Sequence, residues 1–229
     1  MNIQRITLNT CQLATDTVVV IDVLRAFTTA AFAFAAGAND ITLVSTVAEA
    51  FAHKQEHPHV LLMGEEKGLP IDGFDYGNSP TKIAAHNLHG ESLVQRTSAG
   101  TQGVVRTPKA KRTLVTGLCT ISATVTALKQ HPIEVLTLVE TGGFKRPGDS
   151  EDAACADLIE AMMLGQEIDV DTICQRVYNA PTAQRFLDDE RPEFPHSDLE
   201  HAIRPDKFTF AMEVDRQQGR AVLTKLIVS

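Results

Sequence analysis

The sequence predicts an α/β fold with three layers, α/β/α, around a mostly parallel or mixed sheet. Three observations predict it. Short β-branched apolar runs such as "TVVVID" (17–22) and "RTLVTG" (112–117) have the length of buried strands. Ala- and Thr-rich stretches of helical character alternate with them, and polar or glycine-bearing turns follow the run ends. Alternation of this kind implies a sheet covered on both faces.

Taken in order, "TVVVID" is a strand ending in an acid, and "LRAFTTAAFAFAAGA" (24–38) is an Ala-rich helix closed by Gly37. "ITLV" (41–44) is a second strand, "VAEAFAHKQ" (47–55) a second helix, and "HVLLMGEE" (59–66) a strand running into "GEEKGLPIDGFDYGNSP" (64–80). "TKIAAHNL" reads as a short helix, and "ESLVQRTSAGTQGVV" as a strand feeding a glycine-containing turn. "RTLVTG", "TISATVTALKQ" (120–130), "EVLTLVETG" (134–142) and "SEDAACADLIEAMMLG" (150–165) then give strand, helix, strand and helix. Residues 169–203 are polar and helical with a Pro-rich break near 192–195, and "FTFAMEV" and "AVLTKLIV" form a closing hairpin turning at Gly219. The expectation is a single domain over 1–229. The order strand, polar turn, helix, strand, acid-bearing turn occurs twice, which leaves open an internally duplicated βαβ architecture with halves of 1–105 and 106–229.

The 229 residues carry 21 basic and 29 acidic side chains, a formal charge of −8, which argues against a nucleic-acid partner because phosphate contacts need a basic face. Four cysteines without a CxxC pair, and no secretory leader, lead us to expect reduced thiols and a cytoplasmic location. No apolar run reaches membrane-spanning length, since Asp22 and Arg25 interrupt the best one. Nothing in the pattern sets an oligomeric state, and a homo-oligomer is compatible with it.

Ligands of open α/β sheets bind beyond the carboxyl ends of strands. Four polar clusters fall there: Asp22 with Arg25, Glu65 with Glu66, "RTSAGTQG" (96–103), and "ETGGFKRPGDSED" (140–152). Carboxylates, an arginine, hydroxyls and glycine amides together suit Mg²⁺ plus a phosphate ester, since Mg²⁺ takes oxygen ligands and phosphate takes a guanidinium fork and backbone N–H groups. Each piece also has an ordinary reading: Asp22 as a helix cap, Ser150-Glu151-Asp152 as a capped, dipole-matched helix start, His57 and His59 as solvated surface. A phosphoaspartate mechanism is disfavoured, because Leu24 stands where a haloacid-dehalogenase-type phosphatase has its second Asp.

The segments "IDVLRAFTTA", "GEEKGLPIDGFDYGNSP", "RTSAGTQG" and "SEDAACAD" occur in the order and spacing of the 2-phosphosulfolactate phosphatase (ComB-like) family, and the chain resembles that family from about Val18 to Asp157 and again at "DKFTFAMEVD". The resemblance implies a three-layer α/β fold and a Mg²⁺-dependent phosphatase, which in that family releases phosphate from 2-phosphosulfolactate on a path to coenzyme M. Asp22, Arg25, Thr28 and Thr29 match the first motif; Gly64, Glu65, Gly68, Phe74, Asp75, Gly77, Asn78, Ser79 and Pro80 the second; Thr97, Gly100 and Thr101 the third; Glu151 and Asp152 the last. Phe27, Ala99 and the Cys119-Thr120 pair depart from it.

The expected site therefore has Asp22, Glu65 and Glu151 or Asp152 on Mg²⁺, with Asp22, Arg25 and Glu65 as catalytic groups. Asn78, Ser79, Thr97, Ser98, Gly100 and Thr101 would bind a small anionic phosphorylated hydroxy-acid. The loop acids are expected to face inward, Gly77 to turn with positive φ, and Phe74 to plug the loop onto the core. Two rival readings are a non-catalytic anion-binding homologue and a metal-dependent lyase or isomerase of carboxylates.

Overall fold

The structure, a computed structural model, describes residues 1–142, 150–217 and 219–228. In chain order its elements are β1 (Asn2–Thr7), β2 (Thr17–Ile21), α1 (Ala26–Ala35), β3 (Asp40–Val44), α2 (Val47–Glu56), β4 (Leu61–Gly64), α3 (Pro80–Ile83), β5 (Ser92–Arg96) and α4 (Gly100–Val105). They continue with β6 (Arg112–Thr116), α5 (Ile121–Lys129), β7 (Val135–Glu140), α6 (Glu151–Leu164), α7 (Val170–Asn179), α8 (His196–Ala202), β8 (Phe210–Gln217) and β9 (Arg220–Ile227). The α/β reading holds, and the sheet is mixed rather than parallel throughout.

Among the described residues the strands form one nine-stranded sheet in the order β1-β7-β2-β6-β8-β9-β3-β5-β4. β1, β7, β2 and β6 are mutually parallel, as are β3, β5 and β4, and the antiparallel hairpin β8–β9 joins the two blocks. β1 carried no apolar run to announce it; it is an edge strand with half-exposed side chains. The sheet does not part at residue 105, because Thr17 of β2 lies between Arg112 of β6 and Leu136 of β7.

Strand side chains alternate between faces, so each buried run must meet apolar partners on both sides. In β2, Val18 and Val20 join the core around α1, while Val19 and Ile21 join the opposite core under α5, α6 and α7. A third, smaller cluster packs Ala50 and Phe51 of α2 on Leu62 and Val94. Helix α1 is apolar on every side, the signature of a helix with no solvent face. Ala26 through Phe34 are all buried, and full burial of Phe27 or Phe34 contributes about 1.5–3 kcal/mol each.

The sheet wraps this helix. Neighbouring strands rotate by roughly 20–25°, and five steps separate β2 from β5. Accumulated twist across the hairpin brings the carboxyl ends of β4 and β5 round to those of β2 and β7. Gln95 of β5 consequently donates from Nε2 to the Ala26 carbonyl at 3.0 Å.

Candidate active site

Each polar cluster after a strand converges on one cavity of about 340 Å³. Asp22, the residue after β2, is 5 % exposed. Its Oδ1 accepts from the N–H of Ala26, the first residue of α1, at 2.9 Å, so it caps the helix while the rest of the carboxyl faces the cavity. Gly100 lies so close that a Cβ there would sit 2.8 Å from Asp22 Oδ2, which reserves the position for glycine. Burial, and then the nearby Glu151 and Glu65 charges, push the Asp22 carboxyl up to about 7, against the pull of the Ala26 N–H.

Glu65 follows β4 through Gly64, whose φ of +150° is open only to glycine, and a Cβ there would stand 1.9 Å from the Arg96 carbonyl oxygen. That close approach lets β4 pair β5 while aiming Glu65 inward. Its carboxylate accepts from the Ser98 N–H, the Ser98 hydroxyl and the Gly68 N–H. Of the four loop acids only Glu65 reaches the cavity. Glu66 pairs with Arg96 at 3.1 Å, Asp75 takes Lys54 at 2.6 Å and the Leu62 N–H at 2.8 Å, and Asp72 is exposed. Phe74 does plug the loop, edge-on to Phe51 with centroids 5.5 Å apart. The turn at Gly77 is ordinary: its φ is not positive and its surroundings are open, so the tight backbone falls at Gly64, Gly68 and Gly73 instead.

Glu151 and Asp152 open α6 behind Ser150, whose hydroxyl accepts from the Ala153 N–H at 3.0 Å. The capped-helix reading and the site reading thus hold together. Asp152, 1 % exposed, accepts from the N–H groups of Val23, Thr141 and Gly142 at 2.8, 3.1 and 2.6 Å, tying β2 to β7. Glu151 is 2 % exposed, yet its Oε2 has no hydrogen-bond partner among the described residues. Burial raises both carboxyls, Asp152 well above its ordinary range, with the charges of Glu151 and Asp22 adding to it.

The cavity is lined by cations as well. Arg25, Lys67 and Arg185 line it with Asn78, whose buried Oδ1 also lacks a partner among the described residues. Arg25 follows a cis Leu24–Arg25 peptide, and Nη1 of its buried guanidinium donates to Asp198 Oδ2 at 2.7 Å and to the Glu193 carbonyl at 2.8 Å. The Arg25 guanidinium carbon lies 5.1 and 4.8 Å from the Phe186 and Phe194 ring centroids. Burial lowers the Arg25 pKa, opposed by Asp198. A charge already matched by Asp198 is a fixed donor rather than the free clamp the sequence suggested.

Asp22, Arg25, Glu65, Asn78, Ser98, Glu151 and Asp152 therefore meet at the cavity as expected, and the Gly100 backbone flanks it. Ser79, Thr97 and Thr101 do not line it. Ser79 caps α3 and donates to Asp198 at 2.7 Å, while the Thr97 and Thr101 hydroxyls each accept the other's N–H, at 3.0 and 2.9 Å. These three shape the loops that carry the site. Thr141, Thr182, Arg185, Phe186 and Phe194 line the cavity without having been singled out. The signal for the last four was the irregular, proline-bearing stretch between α7 and α8, longer than a helix connector needs. Of the departures from the family pattern, Ala99 reaches the cavity, whereas Phe27 and Cys119 are fully buried away from it. Lys145 and Arg146 lie outside the described residues. A larger groove of about 620 Å³, with Leu158, Met162, Ile168 and Val170 in its lining, has acids, Glu167, Asp169 and Asp206, but no cationic side chain to meet a phosphate.

The donor set is all oxygen, which suits Mg²⁺, and two buried oxygens, Glu151 Oε2 and Asn78 Oδ1, lack partners among the described residues. Among the described residues no three acid, histidine or cysteine side chains close around a common point. The expected set of Asp22, Glu65 and Glu151 or Asp152 is therefore not drawn together as three ligands. Glu151 is the better-placed ligand of its pair, since the Asp152 oxygens are already taken up.

The family model described as 2-phosphosulpholactate phosphatase matches residues 5–215. A probable 2-phosphosulfolactate phosphatase of Bacillus subtilis (strain 168) is 33 % identical over 216 residues, 93 % of each chain. Proteins of the same description from Carboxydothermus hydrogenoformans and Deinococcus radiodurans are 44 % and 41 % identical over 100 residues, 44 % of this chain and 41 % and 42 % of theirs.

Proposed function

This chain belongs to the 2-phosphosulfolactate phosphatase family, and from that premise we propose that it is a Mg²⁺-dependent phosphomonoesterase of a small phosphorylated hydroxy-acid, 2-phosphosulfolactate or a close analogue. The observation that carries the reading is one cavity lined both by acids, Asp22, Glu65 and Glu151, and by bases, Arg25, Lys67 and Arg185. A cation and an anion bound side by side satisfy both. The volume, about 340 Å³, suits a small ligand.

Arg25 offers the phosphate a pre-oriented guanidinium edge, while Lys67 and Arg185, which make no ion pair among the described residues, supply the net positive charge for the further anionic group. The Ser98 N–H and hydroxyl and the Gly68 N–H hold the Glu65 carboxylate in one orientation. Without a metal the Asp22 carboxyl is raised to about 7 by burial and the nearby acids, a penalty that a bound cation would relieve. Mg²⁺, held by Glu151 with Asp22 or Glu65, would screen the phosphate charge. Water attacks phosphorus, the ester P–O bond breaks, and the leaving oxygen takes a proton to give the hydroxy-acid and inorganic phosphate. The test is phosphate release from a panel of phosphorylated hydroxy-acids with Mg²⁺ and with EDTA. Turnover that needs Mg²⁺ and favours esters with a second anion supports the reading, and no release from any member refutes it.

A further inference from the structure

Asp198 has a fully buried side chain, lies outside the cavity, and takes no part in hydrolysis as described. Its oxygens are divided. Oδ2 accepts from Arg25 Nη1 at 2.7 Å, and Oδ1 accepts from the Ser79 hydroxyl at 2.7 Å and the Thr81 N–H at 3.0 Å. One carboxylate of α8 thus locks the start of α3 and the arginine that precedes α1.

Arg25 is restrained by more than this carboxylate. Phe186 and Phe194, which meet edge-to-face at 5.4 Å, both border its guanidinium, at 5.1 and 4.8 Å from their centroids, and the Glu193 carbonyl takes a second bond from the same Nη1. Among the described residues its hydrogen bonds all run through Nη1, which leaves the Nη2–Nε edge for the cavity it lines. An arginine side chain free in solution has many rotamers; this one has a single placement fixed before any ligand arrives. A buried ion pair is weak evidence for stability, since apolar replacements of equal volume often serve as well, so its presence here needs a use.

We propose that Asp198 is a positioning residue for the phosphate site: it acts through Arg25, cancelling its charge and fixing its rotamer so that the remaining guanidinium edge meets a phosphate oxygen. This rests on the phosphatase reading. It differs from a purely structural role, in which Asp198 would only fasten α8 to α3.

The probe is inorganic phosphate, titrated calorimetrically into the full chain with Mg²⁺ present, alongside ester hydrolysis. Asp198→Asn should weaken phosphate binding and kcat/KM by roughly ten- to a hundredfold, the penalty of a small misplacement. In an Arg25→Lys background the same change should add less than about threefold, because coupled residues are not additive. Ser197→Ala, which removes only the hydroxyl contact to Thr81 between α8 and α3, should leave both readouts near the parent. Should Asp198→Asn not fold, Phe186→Leu removes one of the two rings that border the guanidinium with every charge still paired, and should weaken phosphate binding by the same route. Parental phosphate affinity in Asp198→Asn, or in Phe186→Leu where that variant stands in, overturns the proposal, as do fully additive losses in the double variant. A parent that binds phosphate but hydrolyses no ester refutes the phosphatase reading while the binding measurements still decide the role of Asp198; a parent that binds no phosphate overturns both.

Discussion

Replacing Asp22 by Asn should make the metal-free protein more stable and inactive at once. The carboxyl is buried with Glu151 and Glu65 nearby, and its pKa rises from 3.8 to about 7. A folded-state pKa above the unfolded one means the native protein binds the extra proton, so stability falls as pH rises from about 4 to about 7 and stays low above that. At 1.36 kcal/mol per unit, three units correspond to about 4 kcal/mol at pH 8, and sharing of the proton with Glu151 makes about 2–4 kcal/mol the working figure. Asn keeps an oxygen for the Ala26 N–H, so the cap on α1 is retained. Urea unfolding in EDTA should show the variant about 2–4 kcal/mol more stable at pH 8, the gap closing as pH falls toward 4, and Mg²⁺ should stabilise only the parent, by about 2.7 kcal/mol at a hundredfold excess over Kd. Phosphate release by the variant should fall to background. A variant less stable than the parent at pH 8, or one that still turns over, removes Asp22 from the site.

Gly64→Ala should cost about 3 kcal/mol or more and abolish activity, because its Cβ would strike the Arg96 carbonyl and the backbone there suits only glycine; parental unfolding midpoints would show that β4 and β5 can separate freely. Arg185→Gln should raise KM roughly tenfold or more for esters bearing a second anion, the value of one charge-assisted bond, and change little for a phosphomonoester without one; equal losses on both substrates would show that Arg185 does not discriminate. Cys119, fully buried and pushed up to about 12 chiefly by burial, should resist alkylation in the native protein, whereas the half-exposed Cys174 should label; mass mapping of rapidly labelled Cys119 would contradict this.

What the sequence disclosed was whatever a run and its final residue can encode. "TVVVID" gave a strand and delivered Asp22 to its end, and "SEDAACAD" gave a helix with Glu151 and Asp152 in its first turn. Polar residues inside turns were harder, because facing the ligand and bonding the loop's own backbone use the same side chains. Ser79, Thr97 and Thr101 took the second course, while Ser98, between two of them, both lines the cavity and takes the Lys67 N–H. Arg185 and Asp198 were out of reach, for their roles arise from a fold-back of residues 180–198 that has no periodic pattern. A mixed sheet was within the reading and the hairpin was legible, but not its place in the middle.

That central place has a consequence for how the protein assembles. Residues 210–227 supply the two strands that separate the β2–β6 block from the β3–β5 block, so each block must wait, edge exposed, until nearly all of the chain is available. Until then α1 has one wall of its enclosure missing, and Phe210, Met212 and Leu223 are absent from the core around it. Pairing across such long sequence separations is slow, and open strand edges invite aggregation. Acquisition of the native state should therefore come late and all together, with the catalytic cavity completed in the same step that inserts the hairpin.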